Sequence, residues 1–321
     1  MAQFGAATTG REVVAAFPER VKDKTCPSPN GIGSATAYAL ATRAPRTLIL
    51  LARSKAKYQP VIDNIHEIDP LVNVKFVETD LACMASVRKA AESILADKAI
   101  TTIDGVFNNA GVITNDLIRT SDGFESQFAI NHLSHFLLTS MLMPRLLTSS
   151  SPRVVNISSL GHKYCEPTFQ NPHFDDIDPE SYNAAEAYAQ AKGAQVLFSV
   201  ALNQRYAQKG LRSFAVHPGN MDSGMYNHMK PEVLMDMAQR ITGRSLEDAT
   251  EALTKTSEGG CATGLAAALT PDLPDGVFMN DCQVTKDPEI VAAWAQDTGK
   301  AEVCWKVSEE AVGQRFAMDL A

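Results

Sequence analysis

Several things are missing from this chain, and each absence removes a class of protein. No window of ~18 consecutive apolar residues occurs, the length a helix needs to cross a bilayer, so no membrane anchor is expected. Residues Met1 to Gly10 lack a basic region followed by an apolar core, so no secretory signal peptide is read there. No basic run is present and the formal net charge is −8, which argues against nucleic acid as a partner. The six cysteines (Cys26, Cys83, Cys165, Cys261, Cys282 and Cys304) are scattered without a Cys-x-x-Cys pair. They read as reduced thiols of a cytoplasmic protein, not as a disulfide frame or a zinc site. Internal repeats, low-complexity tracts and linkers are also absent.

What is present is apolar material in a regular order. Hydrophobic residues make up 45% of the 321 positions, enough for a sizeable core. Apolar runs of strand length alternate with longer helical patterns, the signature of a parallel sheet with crossover helices. Strands are expected at Thr47–Leu51, Val74–Val77, Gly105–Phe107, Val154–Ile157, Ser213–Val216 and Gly276–Phe278. Helices are expected at Ser34–Arg43, Ala85–Leu95, Gly123–Leu147, Ala184–Gln208 and roughly Ile290–Gly313. The expected fold is α/β, a Rossmann-type doubly wound parallel sheet in three layers, with one domain spanning residues 1–321. Segments 163–183 and 220–260 read as insertions above the carboxyl edge of the sheet.

Chemistry concentrates in a few motifs. Tyr188-Ala-Gln-Ala-Lys192 puts a phenol and an ammonium one helical turn apart on one face. A nearby ammonium lowers a phenol pKa by ~1–3 units from its usual ~10, which makes a general acid/base suited to carbonyl and alcohol chemistry. Gly31-Ile32-Gly33 opens an alanine-rich helix, where glycines permit a tight turn and let a phosphate approach the exposed amides. After the second strand stands Arg53, where folds that prefer NAD place an acid to hold the ribose hydroxyl. An Arg there suits a 2′-phosphate, so the expected cofactor is NADP(H); the alternative is a solvated basic loop. His132 and His135 lack a third ligand at sensible spacing, and read as helix-packing side chains.

Taken in order, Gly31-Ile32-Gly33, Asp80-Leu81, Asn108-Asn109-Ala110-Gly111, Asn131, Ser159, Tyr188/Lys192 and Pro218-Gly219 resemble the short-chain dehydrogenase/reductase family. The wording around Asn131-His-Leu-Ser-His-Phe and His217-Pro-Gly-Asn220 looks most like its retinol-dehydrogenase-like branch. The tail with Asn280-Asp-Cys-Gln283 looks like fungal members of that branch. The resemblance implies that Asn131, Ser159, Tyr188 and Lys192 are catalytic. It assigns cofactor contacts to Gly31, Ile32, Gly33, Arg53, Asp80, Leu81, Asn109, Ala110, Gly111, Tyr188, Lys192, Pro218, Gly219 and Ser223. Lys192 would also bind the nicotinamide ribose, Asp80 would bond near the adenine, and Asn131 would hold a water leading to solvent. Ser159 would hydrogen-bond the substrate oxygen. A serine there also has an ordinary alternative as a turn cap, which fits Ser158 better, and Asn131 has one as a tie between backbone segments. The implied partner is a small apolar carbonyl or alcohol, and helix 184–208 offers a face for a homodimer. The loop 163–183 is expected to wall one side of the pocket. Met221, Met225, Met229, Met235 and Met237 read equally as an adaptable lid or as packing.

One stretch departs from the pattern. The residues before Gly31, Glu19 to Asn30, place Cys26 where the family has its first glycine, and supply no long apolar first strand. Lys22, Asp23 and Lys24 cannot lie unpaired in a strand buried on both faces. The run Val13-Val-Ala-Ala-Phe17 is a substitute first strand, at the cost of a long loop. Either an apolar piece is missing from the chain as written, or the chain is a catalytically impaired dinucleotide-binding or scaffold protein with a degenerate turn.

Overall fold

A computed structural model describes residues 4–27, 31–175, 177–221, 225–251 and 254–317. The strands are β1 (Thr25–Pro27), β2 (Thr47–Ala52), β3 (Asn73–Glu78), β4 (Gly105–Asn108), β5 (Arg153–Ile157), β6 (Arg212–His217), β7 (Phe278–Asn280) and β8 (Gln283–Thr285). The helices run α1 (Gly10–Ala16), α2 (Ile32–Ala41), α3 (Lys55–Ile68), α4 (Met84–Ala96), α5 (Ser126–Phe128), α6 (Ser134–Leu146) and α7 (Ala184–Tyr206). They continue with α8 (Pro231–Thr242), α9 (Leu246–Glu251), α10 (Ser257–Gly260), α11 (Ala262–Leu269) and α12 (Thr298–Ala311).

The ladder β3-β2-β1 is parallel, with Thr25 opposite Thr47 and Thr47 opposite Asn73. A second ladder runs β4-β5-β6-β7 in parallel and ends on antiparallel β8. The ladders meet at β1 and β4, where Asp104 N donates to Thr25 O at 3.0 Å and Thr25 N donates to the Asp104 carboxylate at 3.1 Å. The spatial order 3-2-1-4-5-6 is that of a doubly wound Rossmann sheet.

Side-chain alternation along the strands builds the other two layers. Leu48 and Leu50 of β2 turn to one face and pack with α1, α2 and α11. Ile49 and Leu51 turn to the other and pack with α4, α6 and α7. Each such fully buried side chain contributes ~1.5–3 kcal/mol, so a continuous apolar run stabilises a central strand from both sides. α12 lies against α7, which is why nearly every residue of α7 is buried.

The first strand differs from both sequence-based expectations. Val13-Val-Ala-Ala belongs to α1, not to a strand. Thr9 and Glu12 cap that helix reciprocally, with Glu12 N donating to Thr9 Oγ1 at 3.3 Å and Thr9 N donating to Glu12 Oε2 at 2.7 Å. The strand is Thr25–Pro27, three residues long, and Cys26 is a ladder residue opposite Leu48, not a member of the turn. The charges stay outside it: Lys22 and Asp23 occupy an exposed turn, and Lys24 pairs with Asp104 at 3.2 Å.

The expected helix 123–147 is broken. The Glu125 carboxylate caps α5, and a π-turn over Ala129–Leu133 carries Asn131 before α6 resumes. Such turns bulge the backbone outward and recur at functional sites. The last helix starts only at Thr298, where Asp297 accepts from Lys300 N at 2.8 Å.

Candidate active site

The carboxyl ends of β2, β3, β4, β5 and β6 surround one cavity of about 950 Å3. Gly31, Ile32, Arg53, Asp80, Leu81, Asn109, Ala110, Gly111, Ser159, Tyr188, Lys192, Pro218 and Gly219 all line it. Open parallel sheets bind ligands at this edge, beyond the point where strand order reverses. Two expected residues stand back from the wall. Gly33 is buried inside α2, and Asn131 lies behind Gly111. Ser223 lies outside the described residues.

Tyr188 and Lys192 project from α7, and both are 3% exposed. The Lys192 ammonium lies 5.6 Å from the centre of the Tyr188 ring. Gly161 explains how serine and tyrosine meet. A Cβ there would sit 3.0 Å from Tyr188 Cε1 and 3.3 Å from Ser159 Oγ, so only glycine lets the two approach over that turn. The Tyr188 hydroxyl is engaged by Ser159 and by Tyr226. The two serines divide their work differently from expectation. Ser159 Oγ caps the 3-10 turn Leu160–Tyr164 by accepting from Gly161 N at 3.0 Å, whereas Ser158 donates to Lys192 O at 2.8 Å. A hydroxyl with two lone pairs and one donor can cap and still meet a ligand.

Burial sets the electrostatics. It pushes the Tyr188 phenol well above its ordinary value, with Tyr226 adding to the rise and Ser159 opposing it. The lowering expected from Lys192 is therefore not what governs the phenol: its burial does. Burial also holds Lys192 down to about 7. Its Nζ donates to Ile157 O at 2.7 Å and to Gln195 Oε1 at 3.1 Å. Asn131 clamps the turn after β4, its Oδ1 accepting from Val112 N at 2.7 Å and its Nδ2 donating to Val112 O at 2.9 Å. His132 packs among Phe128, Phe136 and Phe198, and the His135 ring bonds to Asn131 O at 3.1 Å.

At the other end the geometry fits a dinucleotide. Gly31 precedes α2 at φ +70° and lines the cavity together with Ile32, so the positive end of the helix dipole is directed at it, where it favours a phosphate. Arg53 follows β2 at the cavity mouth, exposed, with Ser54 capping α3 behind it. Gly219 has φ +95°, and a Cβ there would strike the Lys255 stem at 2.7 Å. Lys255 lies over the turn because Asp281 holds its ammonium at 2.6 Å, a tie that no local sequence motif announces.

The remaining wall comes from segment 220–260. Met221, Met225, Leu234, Met237 and Ile241 face the cavity. Met229 is buried in packing and Met235 is exposed, so the methionines divide between the two roles read from the sequence. The described residues of segment 163–183 do not line the cavity. Its Phe169 and Phe174 turn inward, while the neighbouring Tyr164 donates to Asp236 at 2.6 Å and steadies α8. The loop contains apolar rings with buried partners, so it buttresses the wall instead of forming it.

A doubly wound sheet whose carboxyl edge gathers a glycine-fronted helix, a serine, a tyrosine and a buried lysine defines a nicotinamide-dependent oxidoreductase. The comparisons with known proteins give the family. The family model for short chain dehydrogenase matches residues 28–171. The chain is 34% identical to the short-chain dehydrogenase/reductase prx1 of Penicillium rubens, over 80% of this chain and 72% of that protein. It is also 34% identical to retinol dehydrogenase 12 of Bos taurus, over 89% of this chain and 84% of that one. A crystal structure of an uncharacterised protein from Mycobacterium paratuberculosis superposes with a TM-score of 0.71 at 28% identity, covering 95% of this chain and 98% of the other. The chain belongs to the short-chain dehydrogenase/reductase family, and within it is retinol-dehydrogenase-like.

Proposed function

We propose that this protein is an NADP(H)-dependent oxidoreductase that moves hydride between the nicotinamide and an apolar carbonyl or alcohol, with Tyr188 as general acid/base. The observation that carries the reading is the meeting of Tyr188, Ser159 and Lys192 in one cavity with Gly31 and Ile32 at the start of α2. The bound nicotinamide supplies or accepts the hydride. In reduction, Tyr188 gives its hydroxyl proton to the substrate oxygen and takes it back in oxidation. High burial keeps the phenol protonated until that moment, and Ser159 together with the Lys192 ammonium offsets the charge left on the phenolate. Asn131, fixed to Val112, holds the Gly111 turn beside Lys192. The thioether and aliphatic wall of segment 220–260 favours an apolar substrate. The free thiols at Cys83, Cys165, Cys261, Cys282 and Cys304 support a cytoplasmic setting.

Arg53 is the basis for choosing the phosphorylated cofactor, since no acid stands at the end of β2 to hold a ribose hydroxyl. NADPH oxidation should be followed with a panel of lipophilic aldehydes and ketones. Arg53→Ala should weaken NADPH binding ~10- to 100-fold, as loss of a charge-assisted hydrogen bond does, and leave NADH binding unchanged. Equal weakening for both cofactors would exclude the 2′-phosphate role. The three-residue β1 favours one second reading, a cofactor site too loosely built to bind well. Calorimetric titration with NADPH separates it: absence of binding at millimolar cofactor supports the impaired protein and rejects the enzyme.

A further inference from the structure

Three residues beyond Lys192 on α7, on the same helical face, stands Gln195, which is 1% exposed. Its Oε1 accepts from Lys192 Nζ at 3.1 Å. The other recorded acceptor of that ammonium is Ile157 O at 2.7 Å, a backbone atom at the end of β5. The Gln195 Nε2 is buried without a hydrogen-bond partner. An orphaned buried donor costs ~1–3 kcal/mol, so the bond to Lys192 is the polar contact that this buried amide makes here. An apolar side chain of similar size would avoid that cost entirely.

The ionisable groups around the ammonium do not take over this role. His135 is pushed down to about 4, chiefly by burial, and is neutral at physiological pH. Tyr188 is held in its protonated form. No carboxylate pairs with Lys192 among the described residues. The buried charge therefore rests on two neutral oxygens, of which only one belongs to a side chain.

We propose that Gln195 is a positioning residue for Lys192: its side-chain oxygen fixes where the ammonium lies beneath Tyr188 and how readily it keeps its proton. The functional consequence rests on the reading of Lys192 as the partner of Tyr188. Without the oxygen, the ammonium would hang from Ile157 O alone and would shed its proton at lower pH. With a carboxylate in place of the amide, it would keep the proton to higher pH.

The test reads the lysine apart from turnover. An unfolded chain holds a lysine proton to ~10.4. Burial in the native protein holds Lys192 to about 7. Between those values the unfolded state binds more protons, so native stability rises with pH; below about 7 the cost of the buried charge is present in full. Urea unfolding of the whole cofactor-free chain across pH 6–10, compared with Lys192→Met, isolates this rise as a difference curve. The same pair is measured in Gln195→Met and in Gln195→Glu backgrounds. The isosteric Gln195→Met should move the onset of the rise to lower pH, and Gln195→Glu should move it up by at least ~1 unit. Either variant alone is decisive if the other fails to fold. Onsets that coincide with the unsubstituted protein would overturn the proposal. If no carbonyl compound is reduced by any variant, the functional reading fails while these curves still judge Gln195; if turnover is present, its pH limb should shift in the same direction.

Discussion

Tyr226 is the residue whose position changes most what Tyr188 must do. It stands on the segment between β6 and α8, lines the cavity, packs with Tyr188 and Met229, and shares a hydrogen bond with the Tyr188 hydroxyl. On the proposed mechanism a substrate oxygen takes the proton of that same hydroxyl, so binding would displace Tyr226 from it. A neutral hydrogen bond contributes ~0.5–1.5 kcal/mol, so Tyr226→Phe should lower KM by about two- to tenfold with kcat preserved. Steady-state kinetics with any accepted aldehyde checks this, and a large fall in kcat would mean that Tyr226 takes part in proton movement. At this scale the sequence located the residues that meet in the cavity better than it located their contacts. The Tyr188/Lys192 spacing placed both on one helical face correctly. It could not disclose that Ser159 caps the turn that Ser158 was expected to cap, because both serines follow β5 and only the backbone path separates them. Tyr226, Gln195 and Lys255 carry no motif; their roles arise from contacts across the fold, and only the i, i+3 relation of Gln195 to Lys192 was visible in advance.

At the scale of elements, the weakest piece is β1, and Asp104 compensates for it. The carboxylate accepts from Thr25 N at 3.1 Å, from Lys24 Nζ at 3.2 Å and from Ser149 Oγ at 2.7 Å, so it ties the short strand to the neighbouring ladder. Its loss removes charge-assisted bonds of ~1.5–3 kcal/mol each, offset in part by water, and Asp104→Ala should destabilise the protein by about 2–4 kcal/mol. It should also weaken NADPH binding, because only three residues of sequence separate the end of β1 from Gly31. Chemical denaturation beside calorimetric titration measures both; a loss of stability with unchanged affinity would uncouple the strand from the cofactor site. The central strands were legible because burial on both faces leaves continuous apolar runs such as Leu48–Leu51. The helix α1 was misread because a short run such as Val13-Val-Ala-Ala fits strand and helix alike, and the Thr9/Glu12 capping box was the deciding signal. α3 is hard to read because Pro60 and its polar residues obscure Tyr58, Ile62 and Ile65, the residues it buries. The π-turn at Asn131 has no sequence period to betray it.

For the whole molecule, the cavity at the carboxyl edge of the sheet is where the elements converge. Arg53, Asp80-Leu81, Asn109 to Gly111, Ser159 and Pro218-Gly219 line the cavity because each follows the carboxyl end of a strand, whereas Tyr188 and Lys192 reach it from α7, and Gly33 and Asn131 stand back. Helix α12 packs against α7, and its Trp305 stacks under Arg205 with the guanidinium 4.0 Å from the ring centre. No helix among the described residues is long and apolar enough to cross a membrane. The account as a whole depends on proton transfer at one phenol in this shared cavity. The most direct measurement is single-turnover oxidation of bound NADPH by an accepted carbonyl compound in Tyr188→Phe, alongside its NADPH affinity. The rate should fall by ~10²–10⁴-fold with affinity unchanged; a rate equal to that of the unsubstituted protein would contradict the mechanism.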